Sequence, residues 1–231
     1  MTTSTPLTAE VRSVRTASIW LAGLGFALTV LGTAILPLSG PGFTHALVSR
    51  FSLAAEAGLP PERMLEIAEQ VRAFVVDGDG DTLPATVDGR PGFDASAVSH
   101  LADVRGIISR AKLVTGLVTA LVTIWMFVSF MRKRRPDIGV ALRAGAIIAV
   151  VIVGLAAVSA FADFERFFAA FHGLFFRSGT WTFAYDSLLI QTFPEQFWVT
   201  AGAAWATLTV VGAGVLEGLA RLLMSTDKEP S

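Results

Sequence analysis

The stretch AGAIIAVVIVGLAAVSAFA, residues 144–162, contains no Asp, Glu, Lys, Arg or His. About 20 apolar residues in an α-helix cross the hydrocarbon core of a bilayer, which is about 30 Å thick. Three more uncharged runs of similar length occur at residues 19–38, 113–131 and 197–216. The whole chain of 231 residues is 53% hydrophobic and 16% charged, whereas soluble domains are about 25% charged. The sequence therefore predicts an all-α integral membrane protein with four transmembrane helices.

The composition excludes several classes of function. The chain has no cysteine, which excludes thiol nucleophiles, disulfides, Fe–S clusters and zinc–thiolate sites. A formal net charge of −1 gives no basic surface for nucleic acid, so no nucleic-acid partner is expected. Uncharged spans also disfavour a transporter, because coupled transport usually needs ionisable groups inside the membrane. No cofactor and no metal are predicted.

Basic residues orient the spans. Residues 132–143 hold five Lys or Arg and one acid, which predicts a cytoplasmic loop. Alternation then places residues 1–18 and 217–231 in the cytoplasm, and residues 39–112 and 163–196 on the extracytoplasmic side. These two outer segments carry ten and four acidic residues against seven and two basic ones.

The first outer segment, residues 39–112, is too long for a plain tether and is expected to form an extracytoplasmic cap. A helix is predicted to begin at Pro60 and to end near Asp77. Gly, Asp and Pro then indicate loop as far as Asp94. A second helix is expected to begin near Ser96 and to run into the second span.

The second outer segment contains a phenylalanine-rich stretch at residues 163–176. Its mixture of aromatic and polar residues predicts an amphipathic helix that lies at the membrane interface between the third and fourth spans. Pro194 is expected to turn the chain, after which Phe197 and Trp198 enter the interfacial aromatic belt.

The three histidines of the chain, His45, His100 and His172, all fall in the predicted outer segments. Imidazole titrates near neutral pH, so a general acid or base is one interpretation. A zinc site is a second, although no His-x-x-x-His spacing supports it. Asp103 shares a helix face with His100 and is expected to fix its tautomer; the alternative is an exposed helix start with a solvated carboxylate.

His172 lies inside the phenylalanine run, where a lone polar group costs free energy unless it is used or paired. Glu165 is two turns earlier on roughly the same helix face. A half-buried ring at headgroup depth is the alternative interpretation.

Two weaker patterns are disfavoured. Four aspartates approach the spacing of an EF-hand calcium loop: Asp77, Asp79, Asp81 and Asp88. Thr82 stands where that loop requires Gly, so a polar turn is favoured. Ser178 lacks the G-x-S-x-G context of a serine nucleophile.

Two separated segments resemble a family of bacterial four-span membrane proteins, long described only as a domain of unknown function. The first matches the family pattern FHxLFF…W…LI…P through Phe171, His172, Gly173, Leu174, Phe175, Phe176, Trp181, Phe183, Leu189, Ile190, Phe193, Pro194, Glu195 and Phe197. The second is a His followed by an Asp-Val pair just before the second span, at His100, Leu101, Asp103, Val104 and Arg105. The family includes the lipoprotein intramolecular transacylase of some Gram-positive bacteria.

The resemblance implies an acyltransferase that moves an acyl chain from the diacylglyceryl group of a lipoprotein to the α-amino group of its N-terminal cysteine. It implies that His100 and His172 are catalytic, in a bacterial cell membrane, with a diacylated lipoprotein or membrane lipid as partner. Trp181, or backbone N–H groups near Gly179, are candidates to stabilise the oxyanion. The expected acyl-chain pocket contains Phe168, Phe171 and Phe175. The alternative is a non-catalytic member of the family whose cap binds a lipid or a protein; the oligomeric state is left open.

Overall fold

The structure, a computed structural model, describes residues 6–177 and 179–225. Ser178 and the last residues of the predicted cytoplasmic tail lie outside this described part. Its helices are α1 (Pro6–Thr33), α2 (Pro41–Phe51), α3 (Ala54–Ala57), α4 (Pro61–Arg72), α5 (Ala95–Met131), α6 (Arg135–Ala162), α7 (Phe164–Phe175), α8 (Leu188–Thr192) and α9 (Glu195–Ser225). A 3-10 turn at Pro37–Ser39 and a π-helical turn at Ala73–Asp77 complete the helical elements.

Four of the described helical segments are long and apolar enough to cross a membrane. They are Arg12–Ser39, Ala95–Met131, Arg135–Ala162 and Glu195–Ser225. The prediction of an all-α integral membrane protein with four spans is confirmed. Within the described residues, the strands are limited to a two-residue antiparallel pair, β1 (Thr86–Val87) and β2 (Arg90–Pro91).

Several helices extend beyond the uncharged runs. α6 begins at Arg135, so only residues 132–134 connect α5 to α6, where a loop over residues 132–143 was expected. Arg and Lys are good helix formers, so a charged residue ends an apolar run without ending the helix. α9 likewise continues into the predicted tail. α1 ends at Thr33, shortly before Pro37, which cannot donate a helical hydrogen bond.

The chain divides into two compact units, and the first, the span unit, contains residues 6–34, 114–155 and 207–225 of the described chain. In it, α1 approaches α6 closely where Gly23 meets Gly145. A Cβ built on Gly145 would lie 2.7 Å from the Phe26 Cβ and 2.9 Å from the Gly23 carbonyl oxygen. Small residues that permit close backbone approach are typical of helix crossings in membranes.

An ion pair also joins α1 to α6 in the span unit. Arg15 donates from Nε and Nη2 to the two carboxylate oxygens of Asp137, at 2.8 and 2.5 Å. Asp137 is buried in the first turn of α6, within the stretch where a loop was expected. A buried carboxylate requires such a partner, since desolvation of an unpaired charge is costly.

The second unit, the cap unit, contains residues 35–113 and 156–206. It has a hydrophobic core of its own, to which both of the predicted outer segments contribute. Fully or nearly fully buried members of this core are Val48, Met64, Ile67, Val71, Phe74, Val87, Phe93 and Leu188. The helix predicted over 60–77 is present as α4 with its π-helical extension.

Helix α2 of the cap unit was not predicted. It packs against α4 and buries Leu47 and Val48. Pro41, at its first turn, is a common helix start, and it is a local signal for this helix.

Basic side chains of α5 hold the acidic loop after α4 through hydrogen bonds to its backbone. Arg105 donates to the carbonyls of Gly78 and Gly80, and Lys112 donates to the Val76 carbonyl at 2.5 Å. Asp77 pairs with Arg72 at 2.5 Å. The hydrogen bond from Arg72 holds the pKa of Asp77 below its ordinary value.

The same loop contains a tight hairpin between β1 and β2. Asp88 and Gly89 both have positive φ, 50° and 77°, as a type I′ turn requires. The Asp88 carboxylate pairs with Arg63 at 3.2 Å. Asp77 and Asp88, the first and last positions of the EF-hand-like spacing, are therefore engaged with arginines.

Candidate functional site: a histidine pair among aromatic rings

The cap unit contains the site, and α5 positions its first histidine. Asp94 caps this helix, because its carboxylate accepts a hydrogen bond from the Ala97 N–H at 2.7 Å. That bond holds the pKa of Asp94 below its ordinary value. His100 follows in the second turn and is 8% exposed. The predicted start near Ser96 was accurate to one residue.

α7 positions the second histidine. Asp163 is its N-cap and accepts from the Arg166 N–H at 2.9 Å. Capping by a short acidic side chain fixes where the first turn begins. His172 lies in the last turn, half-buried, four residues after Phe168.

The structure brings these two histidines together. The rings of His100 and His172 are stacked at 28°, with centroids 6.1 Å apart. They come from helices far apart in sequence, so the folding of the cap unit creates the pair. A group between or beside two rings at this separation is within reach of both imidazoles.

Aromatic rings surround His172. Its centroid is 4.0 Å from that of Phe168 and 4.8 Å from that of Trp181. Trp198, at the start of α9, adds a further ring to these surroundings, with its centroid 6.3 Å from that of Phe168. Aromatic surroundings lower the local dielectric, which strengthens any electrostatic interaction formed among them.

His100 has its own aromatic contacts. Its centroid lies 4.7 Å from Phe176 and 5.5 Å from Phe183. Phe176 also contacts His172, at 5.6 Å. Phe176 therefore links the two imidazoles on one side of the pair.

A hydrogen bond sets the tautomer of His172. Its Nδ1 lies 2.9 Å from the Phe168 carbonyl oxygen, and because a carbonyl only accepts, Nδ1 carries the hydrogen. In the neutral ring, Nε2 then holds the lone pair that accepts a proton. Burial lowers the pKa of His172 below its ordinary value of 6.5, and the bond to Phe168 partly opposes this. Neutral His172 is therefore the main form at pH 7.

Two buried polar atoms at the site have no hydrogen-bond partner within residues 6–177 and 179–225. They are Nδ1 of His100 and Nε1 of Trp181. A buried polar atom without a partner is costly in a folded protein and calls for an explanation, such as a bound ligand. Indole Nε1 is a donor only, so it matches a ligand oxygen.

Asp103 does not hydrogen-bond the His100 ring, whose Nδ1 has no partner among the described residues. The Asp103 carboxylate is exposed and lines a neighbouring pocket. Helical spacing gives a shared face but not the direction of a carboxylate. Glu165, which shares roughly the same helix face as His172, is also exposed, and Nδ1 of His172 contacts the Phe168 carbonyl instead.

The phenylalanines of the expected acyl pocket lie at different depths. Phe168 is half-buried against His172, whereas Phe171 and Phe175 are 48% and 50% exposed. The ring centroids of Phe171 and Phe175 are 5.2 Å apart, so these two rings pack against each other. His45 is exposed on α2 and has no part in the histidine pair.

Three aromatic residues of the site were not predicted to belong to it. Phe176 is four residues after His172, and this i, i+4 spacing was a signal in the sequence. Phe183 and Trp198 reach the site only through the folding of the chain after α7, which local patterns do not reveal.

The arrangement suits proton transfer to and from a bound substrate. It offers a neutral imidazole with a free lone pair, a second imidazole and an unpaired indole N–H within one aromatic enclosure. Within residues 6–177 and 179–225, no three His, Asp or Glu side chains lie close enough together to hold one metal ion.

Solved structures share this fold. The membrane-integral lipoprotein intramolecular transacylase Lit from Bacillus cereus superposes with a TM-score of 0.82 at 16% identity, covering 94% of this chain and 98% of that one. A variant of the same enzyme with one histidine replaced by arginine gives 0.79 at 15% identity, covering 97% and 99%. At these identities the likeness shows the fold.

The sequence of the chain fits one protein family. None of the curated proteins matches the chain in sequence. Four spans and the fold of a bacterial membrane-integral Lit indicate a bacterial membrane protein. The family model for the lipoprotein intramolecular transacylase Lit matches residues 20–198. This chain belongs to the lipoprotein intramolecular transacylase Lit family.

Proposed function

We propose that this chain transfers an acyl chain from the diacylglyceryl ester of a lipoprotein to the α-amino group of the lipoprotein's N-terminal cysteine. The observation that carries the proposal is the pairing of His100 with His172, 6.1 Å apart, among aromatic rings. The family assignment supports a lipoprotein substrate.

His172 is the proposed base. The free amine attacks the ester carbonyl carbon, a C–N bond forms, and Nε2 of His172 takes the proton that leaves the nitrogen. The C–O bond to glycerol then breaks, and the glycerol oxygen receives a proton from the histidine pair. One ester becomes one amide and one hydroxyl, so the reaction balances without a cofactor. His100 shares the proton transfer.

Proximity supplies much of the rate in this scheme. Amine and ester belong to the same substrate molecule, so their reaction is unimolecular once the enclosure holds them in a reactive geometry. The protein must therefore position them, move a proton and stabilise the oxyanion. This requires no covalent intermediate with the protein.

Trp181 is the proposed oxyanion donor. Its buried Nε1 has no hydrogen-bond partner in the described part of the chain, and its ring centroid is 4.8 Å from that of His172. Phe168 would contact the acyl chain close to the carbonyl, and the exposed Phe171 and Phe175 would continue the apolar path toward lipid. Helix α7 is proposed to lie at the membrane interface, as its aromatic face suggests.

The proposed topology follows the basic residues between α5 and α6. With residues 132–135 in the cytoplasm, both termini are cytoplasmic and the histidine pair is extracytoplasmic. The spans are proposed to include residues 19–38, 113–131, 144–162 and 197–216. The active face then meets lipoproteins in the outer leaflet.

The direct test uses purified protein and a synthetic diacylglyceryl lipopeptide. Tandem mass spectrometry should show one acyl chain moved from ester to amide at unchanged total mass. An equal mixture with a lipopeptide carrying deuterated acyl chains should give only unmixed products, since the transfer is intramolecular. No transfer on any lipopeptide would favour the alternative, a family member that binds a lipid or protein without catalysis.

A further inference from the structure

A pocket lies beside the histidine pair in the cap unit. It has a volume of about 390 Å³. The proposed reaction uses none of its charged residues. Its lining includes Asp103, Ile107, Arg110, Leu174, Phe175 and Arg177.

The charges of this pocket are unpaired. Among the described residues, no carboxylate lies within ion-pair distance of Arg110 or Arg177, and no base lies within that distance of Asp103. The Nε of Arg110 donates only to the Gly106 carbonyl of its own helix, at 3.0 Å. Two guanidinium groups and one carboxylate therefore remain available to a ligand.

The order of these groups along α5 is informative. Asp103, Ile107 and Arg110 occupy positions i, i+4 and i+7, so they share one face. The acid and the base are separated by about 10 Å along the helix axis, too far for a direct pair. Arg110 lies next to the uncharged run that begins at Leu113, and Asp103 lies farther from it.

This order matches a phospholipid headgroup that ends in an ammonium group. In such a lipid the phosphate is next to the glycerol and the hydrocarbon, and the ammonium is farther toward water. Arginine binds phosphate through paired N–H donors. The exposed Leu174 and Phe175 provide the apolar contact that the acyl chains require.

We infer that this pocket binds the headgroup of phosphatidylethanolamine, with the phosphate held by Arg110 and Arg177 and the primary ammonium held by Asp103. Phe176 lines the same pocket and contacts His100 at 4.7 Å. The bound lipid would therefore be a neighbour of the histidine pair. This inference goes beyond the proposed function and does not depend on it, since binding is measured without acyl transfer.

The test is equilibrium binding by native mass spectrometry of the full chain in detergent. The probes are dioctanoyl phosphatidylethanolamine, dioctanoyl phosphatidylglycerol and dioctanoylglycerol, with free O-phosphoethanolamine to separate headgroup recognition from lipid recognition. We expect phosphatidylethanolamine to bind about tenfold or more tighter than dioctanoylglycerol, because charge-assisted hydrogen bonds hold the phosphate. Free O-phosphoethanolamine should compete only weakly, since it lacks the acyl chains.

Variants separate the two ends of the headgroup. The double variant R110Q/R177Q should reduce the affinity for phosphatidylethanolamine to that for dioctanoylglycerol. Asp103→Asn should reduce the affinity for phosphatidylethanolamine to the affinity that the wild type has for phosphatidylglycerol. The matched control R132Q/R134Q removes two arginines outside the pocket and should change nothing, and circular dichroism should show unchanged helix content throughout.

Other outcomes would overturn the inference. Equal affinity of wild type and R110Q/R177Q for phosphatidylethanolamine would show that the arginines do not hold the phosphate. Equal affinity of the wild type for phosphatidylglycerol and phosphatidylethanolamine would show that Asp103 does not bind the ammonium group. Tighter binding of a phosphate-free lipopeptide, lost in Asp103→Asn and kept in R110Q/R177Q, would assign the pocket to the lipoprotein instead.

Discussion

Replacing Trp181 with Phe should lower activity without lowering stability. The indole Nε1 is buried and has no hydrogen-bond partner among the residues that the structure describes. In the proposed reaction it donates to the oxyanion, and the loss of one such donor costs about 10²–10³ in turnover, or about 2.7–4 kcal/mol. An unpaired buried N–H carries a desolvation cost of about 1–3 kcal/mol, and the substitution removes that cost.

Trp198→Phe is the matched control, because it makes the same change in volume. The Nε1 of Trp198 donates to the Phe193 carbonyl at 3.0 Å. Loss of this bond should cost about 1 kcal/mol of stability, and the rate should change by less than about tenfold.

Two measurements decide the comparison. The thermal unfolding midpoint in detergent should be equal to or above that of wild type for Trp181→Phe, and below it for Trp198→Phe. The initial rate of ester-to-amide transfer should fall more in Trp181→Phe than in Trp198→Phe. A Trp181→Phe variant with the wild-type rate would refute the oxyanion role, and a lower midpoint than that of Trp198→Phe would refute the claim that Nε1 is unpaired.

Further predictions concern packing, pH and topology. Gly145→Val should lower the unfolding midpoint, because its Cβ would lie 2.7 Å from a side chain of α1, while Gly154→Val, with open space around it, should not. Because burial lowers the pKa of His172, the unfolded chain binds more protons than the folded chain as the pH drops toward 6.5 and below. The free energy of unfolding should therefore fall as the pH is lowered from 7.5 to 5.5, and it should fall less in His172→Phe. An identical fall in the wild type and in the variant would contradict this. With single cysteines in this cysteine-free chain, an impermeant outside reagent should label Ala85→Cys and not Lys133→Cys, and the opposite pattern would invert the topology.

The spans and the site helices were predictable because their signals are local. Hydropathy runs mark the spans, and the predicted helix start near Ser96 reflects the cap at Asp94. The contact of His172 with the Phe168 carbonyl also follows from i, i+4 spacing on one helix.

The remaining features depend on contacts between distant residues. Arg15 and Asp137 are 122 positions apart, so no local pattern shows that they pair. The burial of α2 and the position of Phe183 beside His100 likewise require the folded cap unit. The direction of Asp103 depends on its rotamer, which spacing does not specify.

The measurement that tests the central claim most directly is the rate of ester-to-amide transfer in single histidine variants, followed by mass spectrometry. If His100 and His172 share proton transfer, replacing either with Ala should reduce turnover by about 10²-fold or more, whereas His45→Ala should have the wild-type rate. The activity of the first two variants should recover in part as pH rises, because the α-amino group of the substrate, with an ordinary pKa of about 7.7–8.0, then loses its proton without help. Full activity of both His100→Ala and His172→Ala would contradict the account.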